Sequence, residues 1–428
     1  MSIVLPCAGL LTRCFIAERG ELMKIAGIVC EYNPMHNGHV YHLEKTREAG
    51  ATHIVCALSA DFVQRGECAY LDKFTRADIA VHCGADLVVE IPVVWSSGAA
   101  ESYALGAVSI LDSLGCDFLS FGTETDDKKL LSDCAGIFEN EEANRLIRRF
   151  LSEGNSYPAS VAKAAECIYG KTAADVFSSP NSTLALEYIR TLGKLGSRME
   201  FLPVKRFGAA HDSEKADGIT ASASYLRSLE DIRSIKSFIP TYAYEKLMEK
   251  VGEGKAPCTL KNGERIVLSY LRRLSLEHIK RITGDNSGLS ERIYEAVKTS
   301  CSLDELFFTV KTKAFTLARI RRSVIQLFLE IPLEKTKETP PYIRVLAANR
   351  KGLEILKNAT DKIPVVTRHS DILKLDERAK EIYEISCQAA DQYAFFGQKT
   401  GACLSEQTSP VKIFRSVHPD SYHHRKPR

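Results

Sequence analysis

Four short apolar runs near the start of the chain are the feature that most restricts its fold: KIAGIVC (24–30), THIVCAL (52–58), DLVVEI (86–91) and CDFLSF (116–121). Each carries apolar residues at successive rather than alternate positions, a pattern that suits a strand with both faces buried. Helical spacing fills the gaps, from about Gly38 to Gly50, Lys73 to Gly84 and Gly98 to Ser113. Buried strands alternating with helices predict a parallel sheet covered on both sides, and right-handed crossovers make it a doubly wound α/β domain. Such domains bind ligands at the carboxyl ends of their strands. The turn after the first strand is therefore where chemistry is expected.

That turn, CEYNPMHNGHVYHL (30–43), holds His36, His39 and His42 together with Asn33, Pro34, Asn37 and Gly38. Three readings of it compete. Metal binding is one, but histidines three apart drift around a helix, and no nearby cysteine or H-E-x-x-H arrangement completes a zinc set. Ordinary turn residues around a satisfied histidine are another. The third is phosphate chemistry, which accounts for more of the residues. Gly38 near a helix start lets backbone approach a ligand, and the helix N-terminus favours an anion. Imidazoles there can donate to a triphosphate and to charge building on its α-phosphorus. Asn33 and Asn37 add donors and tolerate unusual backbone angles, and Pro34 stiffens the loop. A Walker loop is excluded: Gly170-Lys171-Thr172 ends like one, but Ala165 stands where its leading glycine belongs.

The chain's 428 residues leave room for two or three domains. Its 57 basic and 54 acidic residues, a net charge of +3, are too nearly balanced to indicate a polyanion partner, so any nucleic-acid surface must be local. Thirteen scattered cysteines without a C-x-x-C pair fit a reduced, cytoplasmic protein. No apolar run reaches the roughly 18 residues of a membrane span. Residues 1–22 lack the basic start of a signal peptide, and Met23 directly precedes the first strand. Met23 is the expected natural start, with 1–22 an extension or mis-assigned start.

Residues 127–195 read as helical, with Asn181 expected to cap the last of these helices. MEFLPVKRF (199–207) reads as a further strand, and ITASASYLRSL (219–229) as a loop entering a helix at a hydroxyl side chain. Residues 240–330 are helical and more basic. Within them, KTKAFTLARIRR (311–322) carries Lys311, Lys313, Arg319, Arg321 and Arg322 and no acid. Residues 342–367 read as a small αβ element. The expected division is a doubly wound α/β domain at 23–235, a mainly helical, more basic part at 236–400 and a flexible tail at 401–428.

His36-Asn37-Gly38-His39 matches the H-x-G-H signature of the nucleotidyltransferase and class I aminoacyl-tRNA synthetase superfamily. Around it the sequence resembles the bacterial tRNA(Met) cytidine acetate ligases over nearly all of residues 23–400. The resemblance runs in order through GIVCEYNPMHNGHVYHL, FVQRGE (62–67), GADLVVEIP (84–92), AESYALGAVSIL (100–111), FGTE (121–124), SPNSTLALEY (179–188) and VKRFGAAHDS (204–213). It continues through ASASYLR (221–227), KTKAFTLARIRR and YIRVLAANRKG (342–352). Two departures stand out. Met35 replaces the usual phenylalanine, and Ser59-Ala60-Asp61 replaces Ser-Gly-Asn, which disfavours positive φ at Ala60 and adds a charge at Asp61.

The resemblance implies an enzyme that activates acetate with ATP and acetylates N4 of the wobble cytidine in elongator tRNA(Met). It implies ATP contacts along Val29, Cys30, Glu31, Tyr32, Asn33, Pro34, Met35, His36, Asn37, Gly38, His39, Val40, Tyr41 and His42. Gly122, Asn181 and Arg206 complete that set, and Ser222, Ser224 and Arg227 are a weaker match to a later phosphate motif. His36, His39 and Arg206 are the implied catalytic residues, with Mg²⁺ accompanying the triphosphate and no metal site of the protein's own. Lys311, Lys313, Arg319, Arg321 and Arg322, joined by Arg272 and Arg273, are the expected tRNA contacts. No membrane and no obligate protein partner is expected. Two other classes stay open on the residues: a small-molecule adenylyltransferase, and a non-catalytic RNA-binding protein on the same fold.

Overall fold

The computed structural model describes residues 23–206, 221–285, 287–360 and 362–414. Residues 1–22, the expected extension or mis-assigned start, thus lie outside the described residues. So do the expected Phe207–Ser213 motif residues and the tail beyond residue 414.

The apolar runs form the strands they predict. β1 (Ile25–Cys30) leads through α1 (Asn37–Glu48) to β2 (His53–Ser59). A two-stranded hairpin, β3 (Phe62–Val63) and β4 (Glu67–Cys68), precedes α2 (Lys73–His82) and β5 (Leu87–Ile91). Then come α3 (Val93–Ser96), α4 (Ala100–Ser113) and β6 (Phe118–Thr123). Further along lie β7 (Glu200–Lys205), β8 (Ile343–Asn349), β9 (Val365–Val366) and β10 (Lys412–Phe414).

The large sheet has the order β10-β8-β5-β2-β1-β6-β7, with β9 paired to β8. Every pairing in it is parallel except β5 with β8. After β5 the chain crosses back to place β6 on the other side of β1, so the order reverses at β1 and β6. A crevice opens at the carboxyl ends of strands where such a reversal occurs.

The pleat sends alternate residues into two cores. Ile25, Val55, Ala57, Leu87 and Val89 join the core with α4 and the helix Pro180–Leu195. Ala26, Ile28, Ile54, Cys56 and Val88 join the core with α1, α2 and the helix Thr241–Gly252. Both faces are covered, which is why these runs lack polar alternation.

Residue 235 marks no break in either core. Val267, Val324 and Ile343 pack with the first set, and Leu247 and Leu346 with the second. The flexible tail expected from residue 401 is corrected for residues 401–414. A short helix, Ser405–Thr408, precedes β10, which pairs in parallel with Ala347–Asn349 of β8. The anchor is Glu406, 1% exposed and ion-paired to both Lys73 and Arg344. Lys73 also bridges to Glu90 at 2.5 Å, so two buried cations and two buried anions close on one another. No run of apolar residues marks this segment, and its pairing depends on partners more than 60 residues away. Glu406→Gln leaves Lys73 and Arg344 short of a counter-charge and should lower unfolding stability by about 3 kcal/mol, read in urea titrations.

Candidate active site

The residue that turns the chain out of β1 is Tyr32, held at φ 45°, a left-handed conformation rare for a bulky side chain. Its ring is buried, its hydroxyl meets Cys56 Sγ at 3.4 Å, and its edge packs on His39. Asn33 follows. Its Oδ1 accepts from Tyr70 N at 2.7 Å, and its backbone carbonyl accepts from Arg227 Nη1 at 2.7 Å. The Asn33 Nδ2 is buried and has no partner among the described residues.

α1 begins with a capping box made of two imidazoles. His36 is the N-cap, and its Nδ1 accepts from Gly38 N at 3.1 Å. His39 Nδ1 accepts in turn from His36 N at 3.2 Å. An acceptor nitrogen carries no proton, so both neutral rings must hold theirs on Nε2. The rings stack at 3.6 Å between centroids. Burial, with the charge of Arg206 adding to it, lowers His36 to about 3 and holds His39 well below the usual histidine value. Near neutral pH the pair is therefore two uncharged Nε2–H donors.

His42 is spoken for. Thr46 donates its hydroxyl hydrogen to the His42 carbonyl at 2.8 Å, so it accepts from Ser120, and Ser120 accepts from His42 Nε2 at 2.9 Å. Burial, then Arg206, lowers His42 to about 4. Its donor serves β6 instead of the cavity.

These elements enclose a cavity of about 800 Å³ at the point where the strand order reverses. Of the residues expected at the site, Val29, Cys30, Glu31, Tyr32, Asn33, His36, Gly38, His39, Tyr41, His42, Gly122, Asn181 and Arg206 line it. The other expected contacts do not. Met35 is 2% exposed in the core, Pro34 is buried, Val40 packs beside the same core, and Asn37 donates to the Ser237 carbonyl at 3.2 Å. Their side chains are thus engaged in the core or with neighbouring backbone and do not line the cavity. A Cβ at Gly122 would meet only Arg206 Cγ, at 3.6 Å, so packing does not demand the glycine and the space it leaves belongs to the cavity. Asn181 is not a cap. Ser179 is the N-cap of the helix Pro180–Leu195, and Asn181 Nδ2 donates to Glu124 Oε1 at 3.0 Å.

The loop Ser59-Ala60-Asp61 stands away from the cavity wall. Ser59 bonds Tyr103, Ala60 has no positive φ, and Asp61 Oδ1 accepts from Lys73 N at 2.7 Å. Its departures from the family pattern are absorbed by packing.

The five expected tRNA cations separate into different environments. Lys311 and Lys313 are exposed, and neither has an acidic partner among the described residues. Arg319 is tied to Asp285 at 2.7 Å. Arg321 and Arg322 line the cavity with Thr316, Leu317 and Ala318. Burial, with Arg319 nearby, lowers Arg322 to about 10. Arg272 donates to the carbonyls of Val297 and Ser300, a structural use. Residue-by-residue reading also missed Gln64, Arg65 and Glu67 as cavity residues; FVQRGE was the signal, a polar cluster in a tight turn beside the second strand.

A helix N-terminus presenting two imidazole donors at the switch point of a doubly wound sheet is the arrangement of a nucleotidyl transferase. A family model described as HIGH Nucleotidyl Transferase matches residues 23–406. The tRNA(Met) cytidine acetate ligase of Caldicellulosiruptor saccharolyticus is 34% identical over 389 residues, covering 87% of this chain and 96% of that protein. Its counterpart from Caldanaerobacter subterraneus subsp. tengcongensis is 35% identical over 385 residues, covering 87% and 95%. The apo crystal structure of Thermotoga maritima TmcAL has a TM-score of 0.86 at 31% identity over 92% of this chain and 100% of that one. The form bound with alpha-thio ATP has a TM-score of 0.84 at 30% identity over the same shares. The chain belongs to the HIGH nucleotidyl transferase family, and within it to the tRNA(Met) cytidine acetate ligases.

The histidine pKa values carry a pH consequence. An unfolded imidazole takes up a proton near pH 6.5, whereas His36 and His42 resist protonation down to about 3 and 4. Between those limits the unfolded chain binds more protons, so stability falls as pH drops and is fully present above 6.5. Urea midpoints should be lower at pH 5 than at pH 7.5, and His36→Gln with His39→Gln should shrink that difference.

Proposed function

We propose that this protein is an ATP-dependent ligase that activates acetate as acetyl-adenylate and acetylates N4 of the wobble cytidine of elongator tRNA(Met). The observation that carries the reading is the imidazole-capped start of α1: two Nε2–H donors on a cavity whose wall also holds Arg206 and Arg227.

An acetate oxygen attacks the α-phosphorus in line, a P–O bond forms, and the bond to the leaving pyrophosphate breaks. His36 and His39 donate to the phosphoryl oxygens as charge shifts onto them, and Arg206 adds a fixed positive charge. Because both rings are neutral, they stabilise charge by donation without themselves giving up a proton. The cytidine amine then attacks the acetyl carbonyl, AMP leaves with the bonding electrons, and the amine loses one proton. No residue of the chain is acylated.

Magnesium arrives on the triphosphate. Among the described residues no group of three His, Cys, Asp or Glu stands ready to cage a metal, and a phosphate-borne Mg²⁺ needs few protein ligands. The location we propose is the cytoplasm: every described cysteine is free, and no described helix is long and apolar enough to cross a membrane. The tRNA surface we propose centres on Lys311 and Lys313, whose charges are not answered by acids of the described chain.

Acetate-dependent ATP–pyrophosphate exchange, followed by transfer of one acetyl group to the anticodon cytidine, tests the reading. Exchange that needs a different acceptor points to an adenylyltransferase, and none at all to an RNA-binding protein. Lys311→Glu with Lys313→Glu should weaken tRNA binding about tenfold and flatten its salt dependence, measured by filter binding across a salt series. Unchanged affinity removes this surface from the reading.

A further inference from the structure

Arg321 lies in the basic stretch that sequence reasoning assigns to tRNA, yet its position belongs to the nucleotide cavity. It sits on the helix Leu317–Phe328, whose first turn lines the cavity at Leu317 and Ala318. Its Nη1 meets Glu67 Oε1 at 3.0 Å. The other carboxylate oxygen of Glu67 takes Arg227 Nη2 at 3.1 Å, and Arg227 Nη1 reaches on to the Asn33 carbonyl at 2.7 Å. One carboxylate thus bridges two guanidinium groups, one from each half of the chain, and both line the cavity.

The approach that allows this is backbone on backbone. Gly66 turns the β3–β4 hairpin at φ +71°, and a Cβ there would stand 2.4 Å from Arg322 N. Only glycine lets the hairpin press against the helix closely enough to deliver Glu67 between the two arginines. Arg321 also lies over the Phe307 ring at 5.5 Å, which restricts its swing. Its Nε is buried and has no partner among the described residues. Lys311 and Lys313 are by contrast exposed and held by no carboxylate among the described residues.

An acidic side chain in the wall of an anion site opposes the ligand unless it does something that outweighs its charge. Glu67 keeps two like charges together that would otherwise repel, with their forks oriented, and the trio still carries a net positive charge.

We infer that Arg321 is a binding residue for the ATP phosphates in the adenylation half-reaction, and that Glu67 is the positioning residue that holds Arg321 and Arg227 as a pair. The inference rests on the proposal that this cavity activates acetate with ATP. It assigns a cation from the helical half of the chain to a step that takes place before tRNA is needed.

The test is acetate-dependent ATP–pyrophosphate exchange without tRNA in Arg321→Gln, Glu67→Gln and the double variant, with thermal melting to confirm folding. Both single variants should lose at least about tenfold in kcat/KM for ATP. The double variant should be no worse than the weaker single, since the two residues act as one unit. Arg321→Lys, which keeps the charge but not the fork, should remain impaired. Full exchange in Arg321→Gln with only acetyl transfer to tRNA lost would return Arg321 to the tRNA surface. Faster exchange in Glu67→Gln would show its carboxylate merely opposing ATP, which also overturns the inference. If the unaltered protein shows no acetate-dependent exchange, the acetate reading fails, and calorimetric binding of ATP alone decides the clamp. Weaker binding in both variants supports it, and unchanged binding overturns it.

Discussion

The reciprocal bonds between the first turn of α1 and the rings of His36 and His39 govern the chemistry of the cavity. A helix start leaves backbone N–H groups without partners, and serine, threonine, asparagine or aspartate usually satisfies them. Here the Nδ1 atoms of two histidines take that role. The consequence is electronic as well as structural. Each ring is locked with its proton on Nε2, burial keeps it uncharged, and the pair can stack without repulsion. The motif is at once a cap and a pair of donors, two roles that a serine or aspartate cap would not combine.

Around that turn the two halves of the chain are interlocked. Arg227 fastens the Asn33 carbonyl, Glu67 fastens Arg227 to Arg321, and Glu406 fastens the segment before the last strand to Lys73 of α2 and Arg344 of β8. Lys73, Glu90, Arg344 and Glu406 are buried, and charged groups that deep are costly unless each finds its partners. Together these pairings tie the geometry of the cavity to correct docking of the helical half. A chain that misplaced the segment around Glu406 would bury unpaired charge, and one that misplaced the helix Leu317–Phe328 would part Arg321 from Glu67.

Much of the nucleotide-binding half was readable because its signals are local. Strands buried on both faces need apolar residues at successive positions, and the helices beside them need a stripe, so the runs at 24–30, 52–58, 86–91 and 116–121 announced themselves. The crowding of histidine, asparagine and glycine after β1 likewise pointed to the site. What misled was any inference from sequence proximity to shared role. Pro34 and Met35 in the turn before α1 are buried, and Asn37 and Val40 on α1 turn away from the cavity because the helix shows it only one side. The five cations of 311–322 look alike in sequence, yet Arg321 and Arg322 on the helix Leu317–Phe328 line the cavity, Arg319 is tied to Asp285, and Lys311 and Lys313, in the loop before that helix, stay in solvent.

By itself the sequence determined the alternation of elements, the place of the phosphate-binding turn and, through ordered motifs, the family. All of these are written in short windows where periodicity and residue chemistry suffice. Tertiary structure decided the rest. The antiparallel join of β8 to β5, the ordered segment at 401–414, the protonation state of the histidines and the Glu67 bridge each depend on groups far apart in the chain. Their energies come from burial and from charge partners that exist only once the sheet has brought distant segments together.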